Sequence, residues 1–290
     1  LTPLIERLVL GTAQLGMPYG IHNLTGQPSR SEALAILRHA AEKGIRYIDT
    51  ADAYGEAAQL VHAYHQDHPP FEVITKFRVD HPDEDLCEKL LLRKSLLGVE
   101  RVYCFQFHHY EDLHLLHQEH RQLVALRESG LTSHVGVSVY SNEEFAGAIA
   151  PPLIDVIQLP FNLLDNDSKR GRLLEDAKRN GKEVHARSVF LQGLFFMAPA
   201  ALPPKLQSLR ASLERIRTLA AERGIPVQAL ALNYVLHHRD VNKVLFGVDR
   251  TVHLAENLSA ILPSFDEDLR KRIDEINVLD EHLLNPVNWQ

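Results

Sequence analysis

Only two cysteines, Cys87 in a polar stretch of helical period and Cys104 inside an apolar run, stand in a chain of 290 residues. Two thiols can build neither a disulfide framework nor a four-thiolate zinc centre, so both are read as reduced packing residues. No apolar run approaches the roughly 20 residues that a membrane-crossing helix needs. The opening LTPLIERLVLG lacks the charged start and small-residue cleavage site of a secretion signal. The expectation is a soluble cytoplasmic protein with no membrane partner. There is no Lys/Arg-rich block, and the formal net charge of −7 opposes binding driven by neutralisation of phosphate backbones, so nucleic acid is not expected either. Long Gly/Ser/Pro linkers are missing too, and 45% apolar residues suffice for one large core, which predicts a single domain over residues 1–290.

What is present is an alternation. Short runs rich in β-branched and aromatic residues occur at 7–12, 45–49, 71–76, 102–108, 133–138, 154–159, 183–188 and 243–247. Stretches of helical period separate them, as in SEALAILRHAAEKG, where Ala33, Leu34, Ile36, Leu37, Ala40 and Ala41 share one apolar face ahead of Gly44. Strands that are apolar throughout and spaced by helices pair in parallel and are covered on both sides. Eight such units in a chain of this length predict an α/β fold, a closed (β/α)8 barrel. An amphipathic helix near 205–223 is inserted after strand seven, and a final helix and tail carry Trp289, the only tryptophan.

In such a barrel the C-terminal ends of all strands open on one mouth. Here those ends are Asp49 with Tyr54 shortly after it, Lys76, His108, Ser138, Gln158, Ser188 and Gly247. A carboxylate, a phenol, an amine and an imidazole on neighbouring strands suit proton transfer to a carbonyl oxygen. A free phenol titrates near pH 10, and an adjacent ammonium from Lys76, held by Asp49, would lower that value. His108 would hydrogen-bond the substrate oxygen. Singly, each has a plainer account: Asp49 as a helix cap, Tyr54 as a core aromatic, Lys76 as a solvated strand end. Their coincidence on strand ends is what favours chemistry.

The segments GTAQLGMPYGI, DTADAYG, ITK, FQFHH, GVS, QLPFN, RSVFLQGL and FGVDRTVHLAENL, in this order over nearly the whole chain, resemble the successive motifs of the aldo-keto reductases. The resemblance implies a (β/α)8 barrel that binds a nicotinamide cofactor without a Rossmann domain, and no G-x-G-x-x-G follows the first strand here. It implies Tyr54 as general acid, Asp49 and Lys76 as its tuning pair, and His108 as the catalytic imidazole. Cofactor contacts would come from Gly11, Thr12, Ser138, Gln158, the loop Ser188 to Gly193, Gly247, Arg250, Glu256 and Asn257. The substrate pocket would be shaped by Gln14, Met17, Tyr19, His109, Phe190 and Trp289, whose polar members lean toward a sugar or hydroxy-aldehyde.

The chain also departs from the family. The usual Ser-Asn pair after strand five is Ser138-Val139, so one carboxamide contact is absent or comes from elsewhere, Asn162 being a candidate. Arg250 sits where a base would clamp a 2′-phosphate, which favours NADP(H), but its neighbour Asp249 would repel that phosphate and leaves NAD(H) possible. The resulting expectation is NAD(P)H-dependent carbonyl reduction of a small molecule, with no obligate protein partner. Two other readings remain open here: a cofactor-binding regulatory barrel with little turnover, and a lyase or aldolase forming a Schiff base on Lys76. His114, His117 and His120 recur every third residue on one predicted helix and are assigned to a solvated face, not to a metal. Asp52 is expected to cap the helix after strand two.

Overall fold

The computed structural model describes residues 2–23 and 25–289. Eight strands, β1 (Leu8–Gly11), β2 (Tyr47–Ala51), β3 (Glu72–Phe77), β4 (Val102–Phe107), β5 (Thr132–Ser138), β6 (Val156–Pro160), β7 (Glu183–Arg187) and β8 (Lys243–Gly247), form a closed barrel. Every neighbouring pair is parallel, and β1 closes on β8 through Leu8↔Val244 to Gly11↔Gly247. The expected fold is therefore present, with each strand within two residues of its predicted bounds.

Two apolar layers follow from the period-two alternation of strand side chains. Val9, Ile74, Cys104, Val156 and Leu245 form a small separate cluster of buried residues. The larger core unites strand residues such as Leu8, Leu10, Phe105 and Val137 with helix residues such as Ile36, Leu90 and Leu174. Helix Arg30–Glu42 shows how the pattern works: Ser29 accepts the Glu32 N–H at its start, and Ala33, Ile36, Leu37 and Ala40 are buried. Outer helices of this kind connect each strand to the next, and the inserted helix is present at Arg210–Glu222. The tail adds helix Glu267–Asp274 and two 3-10 turns. Among the described residues no helix is long and apolar enough to cross a membrane.

Two local expectations need correction. The stretch containing His114, His117 and His120 is not one helix: a 3-10 turn at Glu111–His114 and a helix at Glu119–Glu128 are separated by a break, with Gln118 in the left-handed region at φ 55°. The three imidazoles therefore do not share a helix face, and His117 instead meets Asp83 at 3.0 Å. Asp52 does not cap the helix Ala57–Asp67; its carboxylate pairs with Arg93 at 2.8 Å, and the cap position is taken by Glu56 without a side-chain hydrogen bond.

Candidate active site

The register brings the strand-end residues together at the barrel mouth. Lys76 donates to Asp49 Oδ1, and Gln158 Nε2 donates to Asp49 Oδ2 at 2.9 Å. Thr12, just beyond β1, ties the same strand end down by donating its N–H and its hydroxyl to the Asp49 carbonyl, both at 2.9 Å. Asp49 and Lys76 are 3% and 2% exposed, so neither charge is solvated and each is balanced chiefly by the other. Burial pushes the Lys76 ammonium down and Asp49 opposes that shift.

Tyr54 follows β2 in a turn whose position is set by two glycines. Gly16 and Gly55 pass so closely that a Cβ on Gly16 would lie 2.0 Å from the Tyr54 carbonyl, and one on Gly55 2.3 Å from the Gly16 carbonyl. Gly55 also has φ +51°, a backbone state that other residues resist. The Glu56 N–H donates to the Gly16 carbonyl at 3.0 Å, so the loop after β1 fixes the turn that carries the phenol. Lys76 Nζ lies 5.3 Å from the centre of the Tyr54 ring, and the His108 ring stands edge-on to it with centroids 6.2 Å apart.

The electrostatics differ from the sequence expectation in one respect. The Tyr54 phenol is not lowered by Lys76: burial, then the charge of Asp49, holds it well above its ordinary value. Asp49 takes up the ammonium, and desolvation together with the Asp49 charge dominates at the phenol. Burial and, secondarily, the Lys76 charge bring His108 down to about 3, so its imidazole is neutral at physiological pH. Its Nδ1 is buried without a hydrogen-bond partner. A protonated phenol and a neutral imidazole thus flank the same ion pair.

On the β5–β6 side, Ser138 is paired in register with Gln158 and is buried. Gln158 Oε1 and Asn162 Nδ2 are both buried without partners. Asn162 is otherwise fully used, its Oδ1 accepting the N–H groups of Leu164 at 2.9 Å and Asp165 at 3.1 Å. One unpaired acceptor, one unpaired donor and a hydroxyl complement a primary carboxamide, which offers both a carbonyl and an amide. The residues therefore fit a nicotinamide carboxamide, with the unpaired donor on Asn162.

The loop after β7 is a compact run of unusual backbone: Ser188, Leu191, Gln192 and Gly193 all have positive φ, between 45° and 87°. Its N–H groups at Leu191 and Gly193 return to the Ser188 and Phe190 carbonyls, and Gln192 O accepts from Ile21 of the loop after β1. A Cβ on Gly193 would lie 2.8 Å from that of His22, so the two loops interlock. Gln14 packs against the α-carbon of Gly247, 1.6 Å from where a Cβ would be. At Gly11 a Cβ would make only ordinary contact with β8.

Beyond β8, helix Thr251–Ser259 begins at Arg250, which is exposed. Glu32 Oε1 accepts from the Thr251 N–H at 2.7 Å and from its hydroxyl at 2.9 Å, while Asp249 binds His253 at 2.6 Å. Two carboxylates therefore border Arg250, and the hydrogen bonds from Thr251 hold Glu32 below its usual range. Asn257 is buried against Gln228, and Glu256 is exposed.

Of the expected pocket residues, His109 stacks on His108 with ring centroids 5.0 Å apart. The Tyr19 hydroxyl accepts from Gln192 Nε2 at 3.2 Å. Phe190 packs on Phe196 and, more distantly, on Phe246, and Met17 is half-buried at the end of the short helix Ala13–Gly16. Trp289 donates its indole N–H to the Leu283 carbonyl at 2.8 Å, so its polar edge is spent on the tail's own backbone. Two residues were missed by the sequence reading. Arg187 and Tyr140 stand at the ends of β7 and just beyond β5, with the guanidinium carbon 4.1 Å from the centre of the Tyr140 ring. The available signal was alternation: Arg187 is two residues beyond His185, which is fully buried in the same strand.

Comparison with known proteins agrees with the barrel fold. The family model described as "Aldo/keto reductase family" matches residues 7–278. The chain is 24% identical to the L-glyceraldehyde 3-phosphate reductase of Escherichia coli (strain K12), over 90% of this chain and 86% of the relative. It is 25% identical to a D-threo-aldose 1-dehydrogenase from a Pseudomonas species, over 87% and 88% of the two chains. An aldo-keto reductase from Bacillus halodurans, solved in its holo form, superposes with a TM-score of 0.76 at 20% identity, covering 93% of this chain and 91% of that one. With a family match over almost the entire barrel, the chain belongs to the aldo/keto reductase family.

Proposed function

We propose that this protein reduces an aldehyde or ketone to the alcohol with a nicotinamide cofactor, Tyr54 acting as the general acid. The observation that carries the reading is the grouping of a protonated phenol and a neutral imidazole around the buried Asp49–Lys76 pair. When bound, the cofactor would supply hydride to the carbonyl carbon. Ser138, Gln158 and Asn162 would hold its carboxamide, and the loop from Ser188 to Gly193, with Gly11, Thr12 and Gly247, would leave room for its phosphates. Glu256 and Asn257 are assigned to the adenine end.

Within the chain, His108 offers a ring N–H to the carbonyl oxygen and orients it toward the phenol. Tyr54 keeps its proton in the resting enzyme, because burial disfavours phenolate, and releases it only as negative charge develops on that oxygen. Lys76 faces the Tyr54 ring and stabilises the phenolate left behind, while Asp49 and Gln158 keep the ammonium in place. A Schiff-base lyase needs a free amine, and the engagement of Lys76 by Asp49 speaks against one.

The names of the two relatives, an aldose dehydrogenase and a glyceraldehyde phosphate reductase, support a sugar or hydroxy-aldehyde as substrate. NADP(H) is the cofactor favoured by Arg250, with Glu32 and Asp249 beside it restraining the preference over NAD(H). Calorimetric titration with NADPH and NADH, followed by turnover of short hydroxy-aldehydes, tests the reading. Tyr54→Phe is expected to lower kcat by at least about a hundredfold with cofactor affinity retained. Turnover unaffected by that change would refute the assignment.

A further inference from the structure

The charges at the barrel mouth do not cancel. Asp49 and Lys76 balance each other, and Arg78 is balanced by Asp112 at 2.8 Å. Arg187 forms no ion pair with any described residue. It ends β7, and among the described residues its half-buried guanidinium donates only to the Val139 carbonyl at 3.1 Å and, weakly, to Ser188 Oγ at 3.4 Å. Of its five N–H donors at least three have no acceptor among the described residues.

The group is also held flat. Tyr140 lies under the guanidinium, 4.1 Å from ring centre to Cζ, which orients the planar fork. Its position belongs to the proposed reaction site and not to the outer surface: its charge acts on Tyr54, Lys76, His108, His109 and Tyr19 alike. A fixed, partly desolvated guanidinium without a counter-charge is a recognition group for a carboxylate or phosphate, which it can bind through two parallel hydrogen bonds.

We propose that Arg187, braced by Tyr140, anchors an anionic group of the substrate, so that the preferred carbonyl compounds carry a carboxylate or a phosphate. This rests on the reductase reading for the carbonyl and on the Arg187 geometry for the anion. The guanidinium acts by binding and orienting; it takes no part in hydride or proton transfer.

Two aldehyde pairs that differ in charge test it: 4-oxobutanoate against butanal, and glyceraldehyde 3-phosphate against glyceraldehyde. The wild type is expected to favour the anionic member of at least one pair by tenfold or more in kcat/KM, and the pair that responds distinguishes carboxylate from phosphate. Arg187→Gln should lower that anionic-to-neutral ratio by about 10- to 100-fold. Arg187→Lys, which keeps the charge without the fork, should restore part of it and guards against a folding defect in the first variant. A ratio within threefold of the wild-type value in both variants overturns the anchor. So does a loss of NADPH and NADH affinity large enough to depress all four aldehydes together, because the guanidinium would then serve the cofactor. Calorimetry of butanoate and inorganic phosphate on the cofactor-loaded wild type and Arg187→Gln separates the two proposals. Arg187-dependent anion binding without turnover of any aldehyde would retain the anchor and refute the reductase reading, whereas turnover without charge discrimination would do the reverse.

Discussion

At the residue scale the site is governed by desolvation more than by pairwise charge. The same burial that keeps Tyr54 protonated drives His108 to about 3, with Lys76 adding to the fall. A neutral imidazole from about pH 4 upward has two consequences. The rate of carbonyl reduction should show no imidazole titration between pH 5 and 8; a limb near pH 6.5 in kcat/KM that vanishes in His108→Gln would contradict the structure. The second concerns folding. Between about pH 6.5 and about 3 the unfolded chain carries a proton on this ring that the folded chain does not, so stability rises with pH through that window and is lost on acidification. Urea midpoints of the wild type should therefore fall from pH 7 to pH 4.5 more steeply than those of His108→Gln.

At the scale of elements, the loops after β1, β2 and β7 form one interlocked rim. The contact of Gly16 with Gly55 positions the Tyr54 turn, and the contact of Gly193 with His22 seats the β7 loop against the β1 loop. Gly16→Ala would place a methyl 2.0 Å from the Tyr54 carbonyl, so the backbone must move. An overpacking cost of about 2 to 3 kcal/mol is expected, read as a lowered urea midpoint. Because the displaced segment carries the phenol, kcat should fall with it even at temperatures where the variant is fully folded. Normal kcat in a folded Gly16→Ala would show that the rim does not position Tyr54.

At the scale of the whole molecule, closure depends on joining the first strand to the last segments of the chain. Arg7, immediately before β1, donates to the carbonyls of Leu236 at 2.5 Å, His238 at 3.0 Å and Val241, and the Val244 N–H returns to the Arg7 carbonyl at 2.8 Å. One side chain thus satisfies three carbonyls in the segment leading into β8. Arg7→Ala is expected to cost about 2 to 4 kcal/mol, from carbonyls left unpaired in a partly buried position, with little change in KM because the contact lies at the opposite end of the barrel from the mouth. A thermal or urea unfolding curve unchanged by the substitution would mean that the β1–β8 ladder alone closes the barrel.

The eight strands, their parallel order and the strand-end grouping of Asp49, Tyr54, Lys76 and His108 were determined by the sequence itself. A strand buried on both faces must be continuously apolar, and the residues that break this rule at its C-terminal end are conspicuous. Tertiary structure alone decided how those groups share their charges. Whether Lys76 serves the phenol or Asp49, that Gln158 spends its amide on Asp49, and that Arg187 has no counter-ion among the described residues all depend on barrel register and on burial, which bring together residues more than a hundred positions apart. The break in the expected histidine-bearing helix at Gln118 belongs with these: its helical period was present in the sequence, but tertiary packing overrode local preference.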